Sequence, residues 1–319
     1  MSFTIIGTGS ALPAHIVTND DLAAMVDTSD EWIRTRTGIR QRHVMTTESL
    51  TDLAVTAARR ALEMSGTRPE ELDAIIGATV QGDFINPGVA CLLQHEIGAS
   101  CPCVDMNAAC SGFLYSMDYA DGLFVRHKAK RVLIVAAEGV SRLLDWKDRS
   151  TCVLFGDGAG AAVFAPGDDL QYIHLVAQGS MVLHVPPKPG DSPFDQREHM
   201  TYGLRMDGRE TYRFAVNTMC AELQKASDET GIPLEKVDHF LLHQANQRIL
   251  DAAMKRLHIP AEKVPTTIAE TANTSAASVP ILLDTEVRAG HLHRGDQLMM
   301  CAFGSGLSAG TAAMTWGID

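Results

Sequence analysis

The sequence predicts an α/β protein built from two similar halves, and two observations carry that reading. Short apolar runs alternate with helical patterns along the chain, which implies parallel sheets covered by helices. The alternation stops at the Pro/Gly/Asp-rich residues 166–169 and then restarts. The predicted units are therefore 1–166 and 167–319, and 319 residues are ample for two domain-sized cores.

In the first half the strand-like runs are FTIIG (3–7), DAIIGATV (73–80), CPCVDM (101–106), RVLIVAAEG (131–139) and GAAVFA (160–165). The second half offers LQYIHLVAQG (170–179), HFLLHQ (239–244) and QLMMCAFG (297–304). Thr28-Ser29-Asp30-Glu31 reads as a capping box ahead of Trp32 and Ile33. Residues 49–66, 111–130 and 210–229 have good helix compositions, and the Pro-rich stretch 184–194 reads as a surface loop.

Composition narrows the function. With 45% hydrophobic and 21% charged residues the chain is ordinary for a globular protein. Its 27 Lys+Arg against 39 Asp+Glu give a net charge of −12, which argues against a general nucleic-acid surface. The N-terminal MSFTIIGTGS lacks the pattern of a signal peptide, and no apolar run reaches membrane-spanning length. Seven scattered cysteines, an odd number, point to a reducing cytoplasm. Cys101 and Cys103 have no partner pair, His291 and His293 lie in a polar loop, and HExxH is absent, so no metal site is expected.

Two glycine clusters invite a dinucleotide reading. Gly7-Thr8-Gly9 runs into Pro13 rather than a helix, and Gly156, Gly158 and Gly160 are followed by a strand pattern. The pyrophosphate fingerprint needs strand, turn and then helix, so both clusters read as close backbone approaches instead.

Catalytic chemistry gathers elsewhere. In VDMNAACSGFLYS (104–116), Cys110 lies among small residues where a strand pattern gives way to a helical one. Small neighbours admit a substrate, and a helix N-terminus stabilises a thiolate. His243 in HFLLHQANQRI ends an apolar strand just before a helix. Asn273 sits in the small-residue loop ETANTSAASVP, and Gly304-Ser305-Gly306 follows a strand, where backbone N–H groups can form an oxyanion hole.

These stretches, namely Cys110 in DMNAACSGF, His243 in LLHQANQRI, Asn273 in ANTSAAS and the FGSG turn at 303–306, resemble the β-ketoacyl-acyl-carrier-protein synthase III family. DEWIRTRTGIRQRH (30–43) and DRSTCVLFGDGAGAAV (148–163) resemble it too, in the family's order over essentially the whole chain. The resemblance implies a thiolase-like fold, a homodimer and a decarboxylative Claisen condensation of an acyl-CoA primer with malonyl-acyl carrier protein. Cys110, His243 and Asn273 would be the catalytic triad. The N–H groups of Cys110 and Ser305 would form the oxyanion hole, and Phe303 would shield His243. CoA contacts carry over to Trp32, Arg36, Arg149 and Asn246, and Phe84 to Gly88 would lie near the acyl pocket. No cofactor is implied, since CoA enters as a substrate. On the helix after His243, Arg248, Lys255 and Arg256 lie off the apolar stripe and, with Arg213, make the expected carrier-protein dock. Ser305 and Ser150 depart from positions where the family commonly has glycine.

Related chemistries fit less well. A hydroxymethylglutaryl-CoA synthase would want a glutamate after the strand at 73–80, and residues 77–90 contain none. A thiolase would want a second cysteine by the glycine turn, but Cys301 lies one position out of register and so faces the other way. The CG[SA]CW context of papain-type hydrolases is absent. A condensing enzyme of a specialised polyketide pathway and a non-catalytic carrier-binding homologue are the remaining alternatives.

Overall fold

A computed structural model describes residues 2–188, 190, 192–196 and 198–318. The first half runs β1 (Ser2–Ala11), β2 (Ile16–Thr18), α1 (Asn19–Ala23), α2 (Asp30–Thr37), β3 (Gln41–His43), α3 (Leu50–Ser65), β4 (Ala74–Ala78), α4 (Val89–Ile97), β5 (Cys103–Met106), α5 (Gly112–Val125), β6 (Val132–Gly139) and β7 (Asp157–Gly167). The second continues through β8 (Leu170–Ala177), β9 (Leu183–His184), β10 (Arg205–Met206), α6 (Gly208–Thr230), β11 (His239–Leu242), α7 (Gln247–Leu257), α8 (Ile268–Thr271), α9 (Ser278–Arg288), β12 (Gln297–Gly304) and β13 (Ser308–Thr315).

Among the described residues, one sheet has the order β1-β7-β6-β4-β5 and another β8-β13-β12-β11. Read from β1 and from β8, each sheet passes through two antiparallel pairings and then a parallel one. The two halves thus share a strand order that their residues do not display. The sheets are mixed rather than parallel as expected. Only the short turn 305–307 joins β12 to β13, and a parallel connection needs a crossover of a dozen residues or more. Strand β13 itself escapes sequence reading because SAGTAAMT is mostly small side chains.

Strand alternation builds the layers. Val132, Ile134 and Ala136 of β6 face a central core with α5 and α9, while Leu133, Val135 and Ala137 face α3 and α4. Leu298, Met300 and Ala302 of β12 join the same central core, and Met299, Cys301 and Phe303 face α6 and α7. Both sheets are therefore covered on both faces, which explains their continuous apolar runs.

The glycine clusters serve this packing. A Cβ on Gly9 of β1 would lie 2.2 Å from the Ala57 carbonyl oxygen of α3, and one on Gly160 of β7 would lie 2.8 Å from the Ile281 amide nitrogen of α9. Ser49 and Asp52 form a capping box at the start of α3, with Gly66 left-handed at its end. At α2 the cap falls one residue later than the capping-box reading requires: Ser29 accepts the N–H of Trp32. In the Pro-rich stretch 184–194, His184 belongs to β9, which pairs with β10, and residues 189 and 191 lie outside the described set.

Candidate active site

Cys110 sits on a 3-10 turn at the head of α5, and Ala109 before it is left-handed at φ 45°. A non-glycine residue in that region marks a turn held by its surroundings. The thiol is only 8% exposed. Burial and the charge of Glu138 push it up to about 12, against a hydrogen bond from Ser275.

His243 follows the end of β11, where its N–H donates to the Cys301 carbonyl at 2.9 Å. Its ring meets Phe303 edge-on, with centroids 5.2 Å apart, and burial pushes it down to about 3, so the ring is neutral. Asn273 is pinned to the loop before β7: its N–H donates to the Leu154 carbonyl, and its own carbonyl accepts the Gly156 N–H. Its side-chain Oδ1 accepts the Ser275 N–H at 2.9 Å, which leaves Nδ2 for the pocket.

These three side chains line one cavity of about 170 Å³, together with Phe303, Gly304, Asn246, Tyr212 and Phe214. The glycine turn closes against the nucleophile so tightly that a Cβ on Gly304 would lie 2.7 Å from the Cys110 nitrogen. Ser305 fits there without a left-handed backbone, since the positive φ falls on Gly306, and its hydroxyl donates to the Leu183 carbonyl. Cys301 is fully buried beside Thr311, two residues before Phe303 on the same face of β12, and does not line this cavity.

A second cavity of about 300 Å³ also reaches Cys110 and is bounded by Val80, Leu143, Phe155, Leu183 and Leu204. Phe84 to Gly88 line neither cavity. Asp83 ties the loop back to the start of α3 and to Arg142, which leaves Phe84 60% exposed and Ile85 fully so.

Trp32 and Arg36 lie one turn apart on the exposed side of α2, and the Arg149 guanidinium sits 5.7 Å from the Trp32 ring while bonding Asp27. Helix α2 ends at Gly38, where a Cβ would lie 2.6 Å from the Gln247 Cβ of α7, so its absence lets the two helices meet. That contact brings α2 beside Asn246, the N-cap of α7, at the cavity wall. Ser150 bonds Asp148 through its hydroxyl and amide in the same surface turn as Arg149. On the adjoining helices α6 and α7, Arg213, Arg248, Lys255 and Arg256 are all exposed. Arg213 is paired with Glu210, Arg256 with Asn217, and Arg248 lies over the Tyr212 ring.

Sequence reasoning missed Glu138, Ser275 and Ser278. All three are buried around Cys110 and His243, and Glu138 is pushed up to about 7 by burial. The available signals were an acidic residue inside the apolar run VLIVAAEG and two serines after Asn273.

Comparison with known proteins agrees with this geometry. The family model for 3-oxoacyl-[acyl-carrier-protein] synthase III matches residues 104–179, and that for its C-terminal part matches residues 227–316. The chain is similar to the β-ketoacyl-[acyl-carrier-protein] synthase III of Clostridium acetobutylicum, 40% identical with 99% of each chain covered. The same-named protein of Erythrobacter litoralis is 44% identical over 98% of each. A crystal structure of 3-oxoacyl-[acyl-carrier-protein] synthase III from Aquifex aeolicus superposes with a TM-score of 0.92 at 42% identity, covering 98% of this chain and 99% of that one. Its likeness extends to the thiolase-like architecture.

Proposed function

The chain belongs to the 3-oxoacyl-[acyl-carrier-protein] synthase III family, and on that footing we propose how its own residues divide the work of condensation. It is an acyltransferase that joins an acyl group from acyl-CoA to the two-carbon unit left when malonyl-acyl carrier protein loses CO₂, the opening step of fatty-acid synthesis. The observation that carries the assignment of residues is the single cavity shared by Cys110, His243 and Asn273.

Cys110 Sγ attacks the acyl-CoA thioester, and the N–H groups of Cys110 and Ser305 hold the oxyanion while CoA leaves. Malonyl-acyl carrier protein then enters, and its thioester oxygen accepts from His243 Nε2 and Asn273 Nδ2 as CO₂ departs. One such donor in a dry site lowers the barrier by roughly 3–4 kcal/mol. The carbanion attacks the acyl-cysteine and releases the thiolate. The scheme calls on no cofactor, because CoA arrives as part of a substrate.

The adenine of CoA rests on Trp32, its phosphates meet Arg36 and Arg149, and the pantetheine arm passes Asn246 to the thiol. The apolar second cavity takes the acyl chain. Arg213, Arg248, Lys255 and Arg256 receive the acidic carrier protein. A homodimer is supported by exposed Phe84 and Ile85, and by Val104 on β5 at the open edge of its sheet. Units 1–166 and 167–319 are supported by the matching strand orders, and a cytoplasmic home by the seven cysteines, all free.

The test separates the half-reactions. Cys110→Ala abolishes acyl-enzyme mass yet retains decarboxylation of malonyl-acyl carrier protein. Asn273→Ala still gains the acyl mass, while CO₂ release falls by roughly 10²-fold. An Asn273→Ala enzyme that decarboxylates normally but cannot be acylated would overturn the division, because Asn273 would then serve to orient His243.

A further inference from the structure

Beside Cys110 runs a short chain of buried polar groups that joins the two halves of the protein. Ser275 Oγ lies 3.4 Å from Cys110 Sγ and 2.9 Å from Glu138 Oε1. A hydroxyl has one proton, so it donates to the sulfur or to the carboxyl and accepts from the other. Its position is built rather than incidental. Ser275 is left-handed at φ 52°, its N–H is held by Asn273 Oδ1, and its side chain is turned between β6 and the head of α5. Glu138 is fixed as well: Oε2 accepts the Val80 N–H at 3.1 Å and the Thr79 hydroxyl at 3.4 Å, and Oε1 also accepts the Ala276 N–H at 3.4 Å.

We propose that Ser275 and Glu138 form the proton relay of the nucleophile: Cys110 passes its thiol proton to Ser275 Oγ as Ser275 passes its hydroxyl proton to Glu138 Oε1. The S–H bond breaks and an O–H bond forms on the carboxyl, so negative charge moves from Glu138 to sulfur, with Ser275 now donating to the thiolate. This resolves a conflict in the site, since a buried carboxylate next to a buried thiol opposes a second charge there and the transfer leaves only one. Glu138 keeps the proton while the acyl group is on sulfur, and the departing CoA thiolate takes its proton from solvent. After condensation the freed Cys110 thiolate recovers its proton from Glu138 through Ser275. The carboxyl is thus neutral while the malonyl group loses CO₂ beside it, and the cycle consumes one solvent proton overall. His243, neutral and bonded to Ser278, is left to donate to the thioester oxygen.

The groups that touch Glu138 from the loop after β4 and from the turn before α9 are neutral: Thr79, Val80, Ser275 and Ala276. The titratable group that feels Glu138 is Cys110 at the head of α5; Asp157 lies one register step away on β7 and is itself opposed by Arg142 in the turn after β6.

The relay rests on Cys110 being the acylated residue, but its test does not use acyl-CoA. Iodoacetamide labelling of Cys110, followed by peptide mass spectrometry across pH, reads thiolate supply directly. In the intact enzyme the rate rises near neutral pH as Glu138 becomes able to accept a proton, and then levels off. Glu138→Gln and Ser275→Ala lose that rise and label roughly 10²-fold more slowly at pH 8, the scale of one general base. Variants that label at the parental rate with the parental profile overturn the relay. So does an intact enzyme whose labelling climbs only at strongly alkaline pH, a result that requires no variant to fold. Normal labelling behaviour with no acylation by acyl-CoA would instead fault the assigned reaction and leave the relay standing.

Discussion

Ser278 Oγ stands 2.9 Å from His243 Nδ1 and accepts the Gln244 N–H at 2.8 Å. Among the described residues, Nδ1 is the acceptor within reach of the Ser278 hydroxyl proton, and this pattern assigns the ring proton to Nε2. The donor proposed for decarboxylation is therefore set by a serine at the start of α9. Ser278→Ala frees the ring to adopt either tautomer. CO₂ release from malonyl-acyl carrier protein should fall by roughly 10- to 100-fold, the usual scale for losing a histidine's orienting partner. The rate of acyl-enzyme formation measured by mass should be nearly unchanged, since that step draws on Cys110 and backbone donors.

The proposed carrier-protein dock is testable through its least engaged members. Arg213 and Arg256 are tied to Glu210 and Asn217, whereas Arg248 rests over Tyr212 and Lys255 projects from α7. Exposed charges act over about 8 Å at physiological salt, so the local patch decides and the chain's net charge does not. Arg248→Glu with Lys255→Glu should raise KM for malonyl-acyl carrier protein about tenfold or more, with an effect that shrinks as salt is added. The KM for acyl-CoA in the acylation half-reaction should stay close to the parental value.

Much of this site is legible in the sequence because catalysis demands unusual local backbone. Cys110 and the 303–306 turn fall where a strand pattern ends in small residues, His243 ends an apolar strand just before a helix, and Asn273 lies in a small-residue loop, signals that survive without coordinates. Most strands are legible for a related reason: buried on both faces, they read as unbroken apolar runs. What stays hidden depends on distant partners. Strand direction in β12 and β13 follows from a turn length and a pairing, and β13 has too many small residues to declare itself. Glu138 announces an oddity in its strand, but only the fold reveals that Ser275, 137 positions on, connects it to the nucleophile. The family resemblance places Phe84 to Gly88 near the acyl pocket, and only the fold reveals that the tethering of Asp83 leaves Phe84 and Ile85 exposed.

The second cavity predicts chain-length selection. Leu204 is buried at its wall, and the same cavity meets Cys110 and Ser275. Leu204→Trp should fill that space and penalise longer primers. At about 0.8 kcal/mol per methylene excluded from an apolar pocket, kcat/KM should fall roughly fourfold for each carbon that no longer fits. Acetyl-CoA should be little affected. Competition between acyl-CoAs of graded length, read as acyl mass on Cys110, measures the slope.

Glu138 and His243 predict opposing pH dependences of stability. Glu138 has its folded value raised from 4.5 to about 7, so the folded protein binds more protons than the unfolded one across that window. Stability from this group is therefore fully present below about pH 4.5 and is lost as pH rises through 7. At about 1.4 kcal/mol per pH unit the loss is of order 3 kcal/mol. His243 has its value lowered from 6.5 to about 3, so the unfolded chain binds the extra proton; its contribution is present above pH 6.5 and lost as pH falls toward 3, on the order of 5 kcal/mol. Between pH 4.5 and 6.5 the two slopes oppose each other, and the parental stability should be nearly flat as far as these groups decide it. Urea unfolding of Glu138→Gln should uncover the histidine slope, with stability rising steadily from pH 4.5 to 6.5. His243→Ala should uncover the glutamate slope, with stability falling over the same range and on to pH 7. Two parallel curves would mean that neither group is held in its buried protonation state.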